Sequence, residues 1–258
     1  MFNKFSSSEI VYTKLFSDYY EDDQIIRFYD NKLPDMYIYN YTLIKNCVSL
    51  YSFRKIILGE LEQRKNTKAS FLRIEFNFPI EDEYLNNLPV VPKLSKYDYM
   101  YIEPAMSQYL FNREGCIVKK AVSEEVLKDG IEADILANTA AMGIDFARRR
   151  IYRKSQVYNK LDPNFNLYVC YYNDIAIGNC ELMLNNHIGK IEDFDILDDY
   201  QRKGFGTSVI MHLLEEAKKN SIEFVYLITG SEDTAKEMYK KCGFKKIGEK
   251  MELFFDFS

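Results

Sequence analysis

Hydrophobic positions in the second half of the chain change period in a definite order. Leu167–Tyr172 and Ile175–Leu184 are nearly continuous apolar runs separated by Asn173-Asp174, a two-residue turn suited to a hairpin. A second turn over 185–189 leads into an apolar-acidic strand, Lys190–Leu197. There follow an amphipathic helix over Phe205–Lys219 and a short apolar strand, Ile222–Ile228, of the kind found in buried parallel positions. The pattern predicts three antiparallel strands feeding a strand–helix–strand unit. Upstream, Cys116–Ala121 reads as an opening strand. Ser123-Glu124-Glu125 starts a helix expected to break near Gly130, and a second helical stretch runs from about Asp134 to Tyr158.

Residues 1–115 have a different texture, with Gly59 and Gly115 as their two glycines. Ser6–Glu9 is placed to cap a short helix through Tyr12, Leu15 and Phe16. Met36–Tyr41 alternates and is aromatic, so it predicts a strand, as do Ser70–Phe76 and Tyr97–Ile102. Leu50–Gln63 predicts a helix, and Pro79, Pro89, Pro92 and Pro104 punctuate the remainder. A boundary near Asn112–Gly115 divides the chain into an accessory α/β domain, 1–115, and a second domain, 116–258.

Composition narrows the function classes. A net charge of -5 argues against a general nucleic-acid binder. No apolar run approaches the ~20 residues needed to span a bilayer, and the first residues lack a secretory pattern. The five cysteines, Cys47, Cys116, Cys170, Cys180 and Cys242, are scattered without a C-x-x-C, and two histidines accompany them, so no zinc site is expected. A reducing cytoplasm is the simplest setting. The basic run Arg148, Arg149, Arg150, Arg153 and Lys154 reads as a solvated helix face, the sharper alternative being a rim that attracts an anion.

The candidate chemistry sits where the strand meets the helix. Gln201, Gly204 and Gly206 form a Q-x-x-G-x-G turn flanked by Arg202 and Lys203. Glycines allow a tight turn and close backbone approach, and a helix start offers unpaired N–H groups to a pyrophosphate. A second motif, 231–244, reads as a capped helix with Ala235, Met238, Tyr239 and Cys242 on one face and Gly243 at its end.

Together, Ile196-x4-Gln201-x2-Gly204-x-Gly206 and Ala235-x3-Tyr239-x3-Gly243-Phe244 resemble the GNAT superfamily of acetyl-CoA-dependent N-acetyltransferases over about residues 116–250. Ile177-Gly178 and the strand 191–196 are also similar to that family's central strands. The resemblance implies an α/β (α+β) fold, with a mixed, mostly antiparallel sheet flanked by helices. The N-terminal lobe would be accessory, or a degenerate second copy of the fold. It further implies that Phe194, Asp195 and Ile196 meet the pantetheine arm of acetyl-CoA, and that the turn Gln201, Arg202, Lys203, Gly204, Phe205, Gly206, Thr207 holds its pyrophosphate. Glu232 stands where the family often has Asn.

Acetyl transfer requires a neutral amine and a donor for the departing thiolate. Glu192 is the first candidate base, Asp193 the second, and Tyr239 matches the family's thiolate-side acid. Regular alternation would put Glu192 on the face of Phe194 and Ile196, and a bulge would break that parity. Cys180 and Cys242 have no histidine placed to activate them. The expected function is direct N-acetylation of an amine-bearing acceptor, by a monomer or homodimer without membrane or nucleic-acid partner. A non-catalytic acyl-CoA-binding module and a tandem-domain aminoacyl transferase are the alternatives.

Overall fold

The computed structural model describes residues 1–46, 48–65, 69–158 and 164–257; Cys47 lies outside them. In chain order the elements are α1 (Phe2–Lys14), β1 (Asp18–Glu21), β2 (Ile25–Tyr29), β3 (Thr42–Ile44), α2 (Leu50–Lys65), β4 (Phe71–Phe76), β5 (Lys93–Ile102) and β6 (Cys116–Lys120). They continue with α3 (Glu124–Met142), α4 (Ile144–Ser155), β7 (Phe165–Tyr172), β8 (Ile175–Asn185), β9 (Ile188–Ile196), α5 (Phe205–Lys219), β10 (Phe224–Gly230), α6 (Ala235–Cys242) and β11 (Lys245–Asp256). These residues form two compact units. The first is Met1–Leu15 with Tyr99–Ile247, the second Phe16–Asp98 with Gly248–Ser258.

This partition differs from the 1–115/116–258 division expected from sequence, because the chain passes between units inside β5 and inside β11. Composition cannot reveal that. In the first unit, α1 is fixed by Phe5, stacked on Tyr226 at 4.8 Å, and by Tyr12, whose hydroxyl donates to Glu181 at 2.8 Å.

The first unit has the strand order β5-β10-β9-β8-β7-β6. β6 through β9 pair antiparallel, and β10 runs parallel to β9 with α5 as the crossover. One face of this sheet packs Tyr168, Cys170, Ile177, Leu182 and Ile191 against Val209, Ile210, Leu213 and Leu214 of α5. Each such burial contributes roughly 1.5–3 kcal/mol. The hairpin turn expected at Asn173-Asp174 is present with both residues at positive φ, 49° and 61°.

The second unit has the order β1-β2-β3-β4-β11. β1, β2 and β3 form an antiparallel meander, α2 crosses over, and β4 is parallel to β3. Phe53, Ile57 and Leu61 of α2 pack on Ile44, Leu72, Ile74 and Leu253. Meander, crossover helix and parallel strand thus occur in both units, and this is the relation a degenerate second copy would leave.

Three local expectations are corrected. Met36–Tyr41 is not a strand: Tyr37–Tyr39 forms a 3-10 turn. Asn40 Nδ2 donates to the carbonyls of Leu33 and Met36 at 3.0 and 2.8 Å, and its Oδ1 accepts from the Asp30 amide, so the aromatic alternation folds into a tied loop. Ser6–Ser8 lies inside α1 and does not cap it. The break near Gly130 is displaced to Gly143, at φ 79°. Gly130 is mid-helix because a Cβ there would come within 2.7 and 2.8 Å of the Leu167 and Val169 side chains.

Gly130 and Gly59 are therefore expected to respond oppositely to alanine. Gly59 lies in α2, and a Cβ added there would have nothing within 4 Å, so Gly59→Ala should raise stability by about 0.5–1 kcal/mol. Gly130→Ala should lower it despite the same propensity gain, since overpacking costs about 1–3 kcal/mol. Urea denaturation of the two variants measures both signs.

Candidate active site

β9 pairs with β8 as far as Ile196↔Gly178, but its described pairing with β10 ends at Lys190↔Tyr226. Beyond that rung the strands part, and a cleft of about 620 Å³ lies beside the released strand. It is lined by Phe194, Ile196, Gln201, Arg202, Gly206, Asp233, Thr234, Ala235, Met238 and Tyr239. The strand, the glycine turn and α6 all contribute.

Of the expected cofactor residues, Phe194, Ile196, Gln201, Arg202 and Gly206 line this cleft. Gly204 precedes α5 at φ 92° with no side-chain cap, so the first N–H groups of the helix have no partner within it. Lys203 is exposed and its Nζ donates to the Asp199 carbonyl at 2.6 Å. Phe205 is buried beneath the turn, and Thr207 lies 3.9 Å from the Cys242 thiol. The Asp195 side chain accepts from Asn138 Nδ2 at 3.0 Å on the α3 side. Gln201 Nε2 donates to the Ile196 carbonyl at 2.9 Å, tying turn to strand. Gly206 is also a packing requirement, since a Cβ there would stand 2.7 Å from Met238 Sδ.

Asp233, Thr234, Ala235 and Met238 line the cleft without having been expected there. Asp233 Oδ1 accepts from the amide of Ala235, the first residue of α6, at 2.9 Å. Glu232 is exposed and does not line the cleft.

Tyr239 is buried on α6 with its ring 6.5 Å from that of Phe194. Burial, with Cys180 and nearby acids, raises its phenol well above the ordinary value. It is therefore protonated at neutral pH and able to donate. Burial likewise raises the thiols of Cys180 and Cys242, which makes both poor nucleophiles.

The acids of β9 do not alternate regularly. Asn179 faces Asp195 and Glu181 faces Glu192, so Cys180 alone stands opposite Asp193 and Phe194. This is a β-bulge, with Asp193 at φ 43°. Glu192 and Asp193 consequently both project toward the helices of the opposite face, away from Phe194 and Ile196. The parity that put Glu192 with Phe194 is corrected by the bulge. Glu192 pairs with Lys190 at 2.6 Å, and Lys190 with Glu9 at 2.6 Å.

Asp193 is committed elsewhere. It pairs with Arg150 at 2.5 Å and with Lys154. Burial opposes its charge, yet Arg150 and Lys154 outweigh that and hold its carboxyl well below the usual range. Lys154 also reaches the buried Glu181 at 2.7 Å, which accepts from the hydroxyls of Tyr12 and Tyr158. Arg150 reaches the buried Asp134 at 2.6 Å. The basic run of α4 is thus divided. Arg148 and Arg149 are exposed, while Arg150 and Lys154 are internal counter-ions, which neither reading of that run anticipated.

A family model described as an acetyltransferase (GNAT) domain matches residues 135–253. The chain is 28% identical over 211 residues to an uncharacterized N-acetyltransferase, CgeE, of Bacillus subtilis (strain 168), covering 69% of this chain and 80% of that one. A functionally unknown conserved protein from Staphylococcus epidermidis ATCC 12228 has a similar structure. Its TM-score is 0.77 at 19% identity, over 93% of this chain and 94% of that one. A GCN5-related N-acetyltransferase from Kribbella flavida gives 0.64 at 12% identity, over 98% and 94%. The likeness of these two structures is one of fold. Over residues 135–253 the chain is thus similar to an acetyltransferase (GNAT) domain. Among the described residues no helix is long and apolar enough to cross a membrane.

The buried acids make stability depend on pH. Burial pushes the Asp134 carboxyl up to about 7, with Arg150 pulling it down and Asp193 pushing it up, and Asp195 shifts in the same direction. The folded state then binds the proton more tightly than the unfolded chain, so stability is lost as pH rises from about 4 through 7. Between pH 5 and 8 the loss should be on the order of 1–3 kcal/mol. Asp134→Asn should flatten that slope in urea titrations run at several pH values.

Proposed function

We propose that this protein is an N-acetyltransferase that passes an acetyl group directly from acetyl-CoA to an amine-bearing acceptor. The observation that carries the reading is the parting of β9 from β10 after Lys190↔Tyr226, beside a cleft walled by the glycine turn and Tyr239. A released strand offers unpaired backbone groups to the amide-rich pantetheine arm. The uncapped start of α5, with Arg202 beside it, suits the pyrophosphate.

The residues fit acetyl-CoA on the structure's own terms. Gly206 leaves the cleft wall open where a side chain would collide with Met238, and Phe194, Ile196 and Met238 make that wall apolar. When bound, acetyl-CoA supplies an activated acyl group on a thiol that leaves as thiolate. Tyr239, kept protonated by burial, donates to that sulfur. Glu192, on the other side of the strand just past the last paired rung, removes the proton from the acceptor amine, directly or through water. Lys190, 2.6 Å away, fixes the position of its carboxylate. Asp193, engaged by two cations, is not that base. Direct transfer is preferred to a cysteinyl intermediate because Cys180 and Cys242 are held as buried thiols.

Calorimetry with CoA, and CoA release from acetyl-CoA over a panel of amines, test the reading. Binding without turnover on any amine would leave a non-catalytic acyl-CoA module, and absence of binding would remove the proposal altogether. Tyr239→Phe keeps the packing and deletes the donor, so CoA affinity should survive while turnover falls ~10²–10⁴-fold. Near-normal turnover, measured where chemistry limits the rate, would reduce Tyr239 to a packing residue.

A further inference from the structure

We infer that Asp193, gripped by Arg150 and Lys154 of α4, is a positioning residue that sets the shape of the released lip of β9, residues 194–196, against which the acyl arm would lie. The inference rests on reading the cleft as an acyl-CoA site.

Three observations on separate elements converge on it. The first is the bulge, in which two residues of β9 oppose Cys180 of β8, and which rotates Phe194 and Ile196 toward the cleft. A strand in regular register would carry these side chains to the other face. The second is the backbone at Asp193, φ 43°, a region that residues with a Cβ avoid and that Asp and Asn tolerate best. Such a conformation persists where its surroundings over-determine it.

The third observation is what those surroundings are. The Asp193 carboxylate, 14% exposed, meets both Arg150 and Lys154. Each cation is itself anchored, Arg150 to the buried Asp134 of α3 and Lys154 to the buried Glu181 of β8. Asn179 of β8 joins α3 to the bulge, its Nδ2 3.4 Å from the Asp134 carboxylate and 3.5 Å from the Asp193 carbonyl. The bulge is therefore held to α3, α4 and β8 by charge-assisted contacts that reach no farther than one residue from the lip. Water competes poorly for such contacts when they are buried.

A carboxylate that merely filled the core could be replaced without local effect on the lip. One that positions the lip could not. Asp193→Gly and Lys154→Met together separate the two, because glycine accepts the positive φ while losing the grip, and Lys154→Met weakens the grip with the backbone of residue 193 unaltered. Amide hydrogen exchange on the ligand-free full chain should show the 193–196 amides of Asp193→Gly and Lys154→Met exchanging about tenfold faster or more, the scale of one lost charge-assisted hydrogen bond, with α5 still protected. The acetyl-CoA Kd should rise by a similar factor. Asp193→Asn, which keeps the favoured backbone and a hydrogen-bonding side chain, should fall between wild type and Asp193→Gly. Wild-type exchange and affinity in Asp193→Gly would overturn the inference, as would loss of protection spread equally over α5. If the wild-type chain binds no acetyl-CoA, the reading of the cleft fails, and the exchange arm still decides whether Asp193 holds the lip.

Discussion

One constraint governs the first unit: β9 must stay paired with β8 along its length while leaving β10 after Lys190. A twisted sheet does not open in this way without cause, since each unpaired rung gives up backbone hydrogen bonds. The bulge at Asp193 supplies the bend. Gly178 allows it, because a Cβ there would stand 2.2 Å from the Asp195 carbonyl on the neighbouring strand. The cleft, the turn after Ile196 and the seat of α6 all lie downstream of that bend.

The bend has an electrostatic cost. Asp134, Glu181 and Asp193 are brought together with Arg150 and Lys154, all shielded from solvent. Desolvating that many charges is expensive, and such clusters are weak sources of net stability. Their geometry is specific, however. Arg150 and Lys154 sit one helical turn apart on α4, so a single helix face presents both cations to one strand. Apolar residues of similar volume would pack the face and leave the register of β9 undetermined.

Much of this was legible in the sequence. The order of strands 167–172, 175–184 and 190–197, the crossover helix and the glycine turn follow from periodicity and turn chemistry, and their spacing carried the family resemblance. Gln201, Gly206 and Tyr239 line the cleft, the first two expected there from the turn chemistry and Tyr239 from the resemblance. Arg150 and Lys154 were misread because a basic run at helical spacing looks the same whether it faces water or buried carboxylates. The partner acids lie on other elements, and no local pattern connects Arg150 to Asp134 and Asp193. The fate of 36–41 was hidden likewise, since alternation does not reveal that Asn40 will hold the carbonyls of a loop.

The second unit shows which features the chemistry demands beyond the fold. It has the same succession of meander, crossover helix and parallel strand, with β3 and β4 where the first unit has β9 and β10. The link from β3 to α2 contains no glycine, whereas the link from β9 to α5 has Gly204 in a left-handed conformation. β3 is three residues long and pairs with β4 at all three, so among the described residues this parallel pair has no released lip like that of 194–196. Its buried charges do different work: Arg73 bridges Glu75 and Glu252 across the paired strands β4 and β11, which fastens rungs together where the first unit's cluster ties the bulge of β9 to β8 and α4. A sheet, a crossover helix and buried ion pairs are thus common to both units, and what distinguishes the candidate active site is a bulge that turns a strand end outward beside a glycine-started helix.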